Sequence, residues 1–214
     1  MKKNLIILAA LTMAVGAHAT LYSYSFSGGN TVIPDANPTG VIFTSGTPGA
    51  IPATINGDAA TIQNVDVHLH IAGGYNGDLY GYLVMQAAGG GTTTALLLNH
   101  PGVGNATFGN SGSDLDVILS TSGMTSIHDA SATGNLTGTY APDAGGLPLT
   151  GFNTQLANGT TWTLFLADLS GGDTSHLVSW GLDISVVPEP ITYALMIFGA
   201  VLTTVAVRRR LAVR

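Results

Sequence analysis

An all-β fold, a jelly-roll-like antiparallel β-sandwich, is what most of this 214-residue chain predicts. Three observations lead there. Apolar residues alternate with polar ones at period two in several short runs. Turn formers separate those runs, among the 29 glycines Asn56-Gly57, Asn76-Gly77, Asn158-Gly159 and Gly171-Gly172-Asp173. No stretch between Thr20 and Val187 sustains a long 3.6-residue apolar period, so helices have no amphipathic face to offer there.

The strands follow in order. Tyr22, Tyr24 and Phe26 share one face of a first strand, with Ser23 and Ser25 opposite. Val65, Val67, Leu69 and Ile71 alternate with Asp66, His68 and His70. Gly89-Gly90-Gly91 reads as a loop tip. Trp162, Leu164 and Leu166 oppose Thr163, Phe165 and Ala167. Last, Val178, Trp180, Leu182, Ile184 and Val186 oppose Ser179, Gly181, Asp183 and Ser185. Strands with one apolar face each must pair those faces, which argues for two packed sheets. Residues 103–156 are glycine-rich and show no such pattern.

The two ends read differently. Lys2 and Lys3 precede an apolar stretch from Leu5 to Val15, and Ala17-His18-Ala19 supplies small residues at the −3 and −1 positions of a signal-peptidase site. Residues 1–19 are expected to be a signal peptide cut after Ala19, so signal peptidase is an expected partner and export the expected fate. At the other end Pro188-Glu189-Pro190 precedes a run without charge, Ile191 to Val207, and then Arg208-Arg209-Arg210. As a helix those 17 residues would rise about 26 Å, at the short end of a bilayer span. An arginine cluster after such a run holds that end in the cytoplasm.

Taken in that order, the proline pair, apolar run and arginine cluster closely resemble the PEP-CTERM sorting signal of exosortase-processed proteins in Gram-negative bacteria. The resemblance implies that residues 188–214 hold the protein in the inner membrane transiently. An exosortase-type enzyme then removes the tail, and the product passes to the cell envelope or outside it, in association with exopolysaccharide or biofilm.

Between the ends, residues 20–187 contain no Lys, no Arg and no Glu, because all six basic residues lie at the termini. Eleven aspartates remain. Such a domain repels nucleic acid, which is bound through basic patches, so nucleic acid is excluded as a partner. It also lacks the cations that stabilise a transferring phosphoryl group. The chain has no cysteine, which excludes disulfides and thiol chemistry. At about 168 residues the domain is large enough to bury a core without them.

A second resemblance spans roughly residues 31–184. Ile33-Pro34-Asp35-Ala36-Asn37-Pro38-Thr39-Gly40-Val41, then Tyr75-Asn76-Gly77-Asp78-Leu79, then Thr94 to Asn99 are similar, in order, to segments of the P domain of proprotein convertases and its stand-alone bacterial relatives. Asn158 to Leu164, Gly172-Asp173-Thr174 and Ser179-Trp180-Gly181-Leu182 resemble its closing strands. The resemblance implies a jelly-roll-like sandwich. In convertases that domain supports an attached protease, and nothing in this chain resembles the protease.

Four groups of residues are candidates for chemistry. Gly109-Asn110-Ser111-Gly112-Ser113 superficially resembles a serine-protease nucleophile loop, but a glycine-rich turn explains it as well. His68 and His70 project from one strand face with Asp66, at a spacing that serves either a transition metal or a solvated outer face. Asp35, Asp78 and Asp173, with Asp114, sit in turns, where carboxylates either cap backbone amides or ligate Ca²⁺. Tyr75, Tyr80 and Tyr82 are clustered aromatics that could meet a sugar. The triplets beginning at Asn105, Asn135 and Asn158 match the N-glycosylation pattern and arise readily by chance in such a composition. No catalytic residue stands out. The expectation is a non-enzymatic exported protein; the alternatives are a carbohydrate- or protein-binding module and, third, a hydrolase accessory domain.

Overall fold

The computed structural model describes residues 19–43, 60–143, 145–188 and 198–205. The chain divides into a large unit, Ala19–Glu189, and a second one made of the two ends, in which the described residues 198–205 are helical. Residues 1–18 of the predicted signal peptide, the Asn56-Gly57 turn, Glu189, Pro190 and the arginine cluster lie outside the described residues.

Among the described residues, nine strands build the large unit: β1 (Thr20–Ile33), β2 (Val41–Phe43), β3 (Ala60–Gly73), β4 (Leu79–Gln86), β5 (Thr92–Asn99), β6 (Asp114–Leu119), β7 (Leu136–Tyr140), β8 (Thr161–Asp168) and β9 (Ser175–Pro188). They form a five-stranded sheet in the order β1-β9-β3-β6-β7 and a four-stranded sheet in the order β2-β8-β4-β5. Side chains from both sheets meet in one core, with Val67, Leu69, Leu182 and Ile184 from the first and Leu83, Leu97, Leu164 and Leu166 from the second. The all-β class, with two sheets around one core, is therefore as the alternation predicts. The sheets are not wholly antiparallel, however. β6 and β7 run parallel, with Leu115 opposite Leu136 and Leu119 opposite Tyr140. Parallel neighbours need a crossover rather than a hairpin. The 16 residues between them, 120–135, including a 3-10 turn at Ile127–Asp129, supply it.

In β3 the predicted inward set is buried, while Asp66, His68 and His70 stay half-exposed. Tyr22 and Tyr24 of β1 pack against the core, and Ser23 and Ser25 are exposed. Two elements depart from simple alternation. In β9, Leu177 rather than Val178 enters the core, because the register slips by one where Ser179 faces His70 and Leu177 faces Ile71. Val178 is the extra residue of a β-bulge, which is how one strand can carry two residues against one of its neighbour. In β8, Phe165 and Ala167 are buried as well as the inward Trp162, Leu164 and Leu166. The ring of Tyr82 stacks on Phe165 with centroids 4.5 Å apart, and the chain at Gly40 closes against the other edge of that ring.

Residues 103–156, without a readable pattern, contribute β6, β7 and a 3-10 turn at Leu149–Phe152 to the fold. They bury Leu115, Val117, Leu119, Ile127, Leu136, Leu149 and Phe152 in the core. Residues 154–157 then hydrogen-bond to the start of β3, with Thr154 and Ala157 amides donating to Ile62 and Ala60 carbonyls.

Candidate functional site

Three places on the large unit gather polar or aromatic side chains. The first is an acidic cluster at one end of the sandwich. Three connections meet the end of β8 there: the loop after β1, the 3-10 turn Asn76–Asp78 before β4, and residues 169–174 before β9. Backbone bonds tie them together, with the Asn37 amide donating to the Asp168 carbonyl and the Leu169 amide to the Asp78 carbonyl, both at 2.9 Å. The Gly172 amide donates to Asp35 Oδ2 at 3.2 Å. This arrangement brings the predicted trio Asp35, Asp78 and Asp173 close enough to feel one another's charge, and it adds Asp168.

Asp168 is fully buried at the end of β8. Its Oδ2 accepts a 2.9 Å bond from the Ser175 hydroxyl, while its Oδ1 has no hydrogen-bond partner. Burial pushes its carboxyl above the usual range, against the bond from Ser175, and the negative charges of Asp78, Asp173 and Asp35 push the same way. Asp78 is half-buried and is raised for the same first reason. The Ser170 hydroxyl and His100 oppose that rise, while Asp173 and Asp35 add to it. His100 is itself committed, since its Nδ1 donates to the Gly77 carbonyl at 2.7 Å. Among the described residues no three His, Asp or Glu side chains already converge as a metal-ion cage. Asp114 is not part of this end's cluster as a ligand; it is bonded to a histidine elsewhere.

That histidine belongs to the second place, a shallow groove of about 290 Å³ on the outer face of the five-stranded sheet. His68 Nε2 lies 2.9 Å from Asp183 Oδ2, and His70 Nε2 lies 3.2 Å from Asp114 Oδ1. Ser23, Ser25, Asp116 and Ser179 complete the polar lining. Gly181 faces Ser25 on one side and His68 on the other, so no side chain fills the middle. Asp183 is held below the usual carboxylate range, first by the Ser23 hydroxyl; burial opposes this, and the bond and charge of His68 add to the lowering. Asp66 takes a bond from Asn64 rather than joining the histidines. Each histidine thus has its own carboxylate, and the three residues His68, His70 and Asp66 do not form one ligand set.

The third place is the outer face of the four-stranded sheet. Tyr80 and Tyr82 are half-exposed there and meet edge to face, with centroids 6.2 Å apart. Tyr75 lies apart from them beside Gly77.

Ser111 is exposed, and its amide donates to the Ala132 carbonyl in an ordinary loop bond. The residue that organises that loop is its neighbour Asn110. Asn105 directs its amide nitrogen to the carbonyls of Asp129 and Ala130 at 2.7 and 3.0 Å, so its side chain is structural. Sequence reasoning missed Asp168 because it ends a strand rather than sitting in a turn. A carboxylate directly after the apolar run Leu164 to Ala167 was the available signal.

A scan against protein-family models and a search of curated proteins both return no match for this chain.

Proposed function

We propose that this is an exported, non-enzymatic envelope or matrix protein, a P-domain-like jelly-roll sandwich sorted by its C-terminal signal and associated with exopolysaccharide or biofilm. The observation that carries the reading is the order Pro188-Glu189-Pro190, apolar run, Arg208-Arg209-Arg210. Two structural features support it. The sandwich is complete at the proline pair, since β9 is paired up to Pro188, which faces Ala60. Beyond it the described residues, 198–205, are helical and contribute no strand.

The helical residues 198–205 expose Phe198, Val201, Leu202 and Val205. Their two threonines turn their hydroxyls back onto the helix, Thr203 to the Gly199 and Ala200 carbonyls and Thr204 to Ala200. An apolar surface with its hydroxyls internally bonded suits a lipid environment. Among the described residues no helix is long and apolar enough to cross a membrane. The proposed span from Ile191 to Val207 reaches beyond them on both sides. Processing by signal peptidase after Ala19 and by an exosortase-type enzyme near Pro190 makes the inner membrane a transient station.

Intact mass of the protein recovered from its native host tests this. The expected species lacks residues 1–19 and the tail from about Ile191 onward. A product that still ends at Arg214 would reduce the tail to a permanent anchor. The second reading, a carbohydrate-binding module, is favoured by the half-exposed rings of Tyr80 and Tyr82. A glycan array in which binding is lost on Tyr82→Ala would select it.

A further inference from the structure

We propose that Asp168, Asp78, Asp173 and Asp35 form a Ca²⁺ site at the end of the sandwich, with the free Oδ1 of Asp168 as its buried anchor. That oxygen has no hydrogen-bond partner. A buried carboxylate oxygen without a donor leaves a strong acceptor unsatisfied, which is costly, and native folds rarely leave one without a proton, water or cation. Its other oxygen is already satisfied by Ser175. No lysine or arginine exists between residues 20 and 187 to approach it. The nearby charges are instead those of three more aspartates, which raise the cost of ionising it.

The donors at this end decide which cation fits. They are carboxylates, loop carbonyls and the Ser170 and Ser175 hydroxyls, all hard oxygens, and no thiol is present in the chain. Hard oxygen sets select Ca²⁺ or Mg²⁺ over the transition metals. Mg²⁺ demands near-ideal octahedral geometry and gives up its waters reluctantly, whereas Ca²⁺ accepts six to eight oxygens in irregular arrangement. Because no three carboxylates already converge, the set would be completed by loop carbonyls and water, which Ca²⁺ tolerates. Asp35 and Asp173 lie on exposed loops, and the Gly171-Gly172 pair between β8 and β9 keeps that loop free of bulk. The ion would fasten three connections to the end of β8, so its effect should be read in stability.

The full-length protein, stripped of metal and held in mild detergent, is melted in millimolar CaCl₂ and in MgCl₂ at matched ionic strength. Matching removes the general screening of surface charge. Ca²⁺ is expected to raise the melting temperature by about 5 °C beyond Mg²⁺ when present at a hundred times its dissociation constant. Asp168→Asn is expected to abolish that difference and to melt higher than the wild type without metal, because the uncompensated buried charge is gone. Should Asp168→Asn not fold, the exposed Asp173→Asn replaces it, with a several-fold loss of Ca²⁺ affinity by calorimetric titration as the supporting result. Equal shifts with the two ions would overturn the site. So would a Ca²⁺ shift that survives in Asp168→Asn, or an affinity unchanged in Asp173→Asn.

Discussion

Asn76 donates through Nδ2 to Oδ1 of Asn110 across 2.9 Å, and both residues are fully buried. The pair joins the turn before β4 to the segment before β6. The same Asn110 Oδ1 accepts from the Gly112 amide, and its Nδ2 donates to the carbonyls of Ser131 and Gly134. One side chain therefore fixes three separate loops to each other. Asn110→Ala removes four bonds and leaves the buried Asn76 side-chain amide and Gly112 backbone amide without this acceptor, each a loss of about 1 kcal/mol or more. We expect it to destabilise the domain by about 3 kcal/mol, read from urea unfolding. Ser111→Ala, in the same loop but exposed, should change little.

That contrast shows what was legible in the sequence. Strands β3, β8 and β9 could be read because their order comes from alternation, a property of neighbouring residues. Residues 103–156 could not, because side chains such as Asn110 and Asn105 bonding to distant backbone do the organising there. Nothing in a local pattern marks such a partner. The parallel pairing of β6 with β7 and the Val178 bulge are likewise settled between elements, not within them. At the acidic end, the turn aspartates were visible as turn residues; Asp168 was hidden by its place in a strand.

His128 Nδ1 lies 2.9 Å from Oδ2 of Asp143, whose side chain is only 10% exposed. Removing the imidazole would leave a nearly buried carboxylate short of a partner. We expect His128→Ala to cost about 1–3 kcal/mol, and Asp143→Ala to cost less once His128 is already gone. A double-mutant cycle by chemical denaturation checks this, with strictly additive costs as the contrary result.

Acid should act on the other face through Asp183. Its folded carboxyl titrates below the reference of 3.8 because Ser23 and His68 favour its ionised form. A depressed acid contributes stability that is present above the unfolded value and is lost as pH falls through the folded one. Asp78 and Asp168 are shifted upward and act in the opposite direction. The useful quantity is therefore the difference between wild type and Asp183→Asn. We expect the wild type to lose its advantage over the variant as pH drops below about 4. A difference that stays flat across that range in thermal melts would remove Asp183 from the account.

Gly181 separates lack of space from backbone strain. Its φ is not in the left-handed region, so any residue could adopt its strand conformation. What forbids a side chain is β1, for a Cβ built on Gly181 would run into the Tyr24 carbonyl oxygen and stand 3.4 Å from Ser25 Cα. β9 is hydrogen-bonded to β1 on one side and β3 on the other, and cannot retreat from either. An added methyl must therefore push out β1, the edge strand. We expect Gly181→Ala to cost about 1–3 kcal/mol, as overpacking does. Amide exchange should quicken in β1 opposite the substitution, at Tyr22 to Ser25, before it quickens in β3. Gly89→Ala is the control. It sits at the β4–β5 turn with nothing within 4 Å of a new Cβ and an ordinary φ, so its stability should stay within about 0.5 kcal/mol of wild type. If Gly181→Ala instead proves as mild as Gly89→Ala, the close approach of β1 and β9 is not what holds the strand in place.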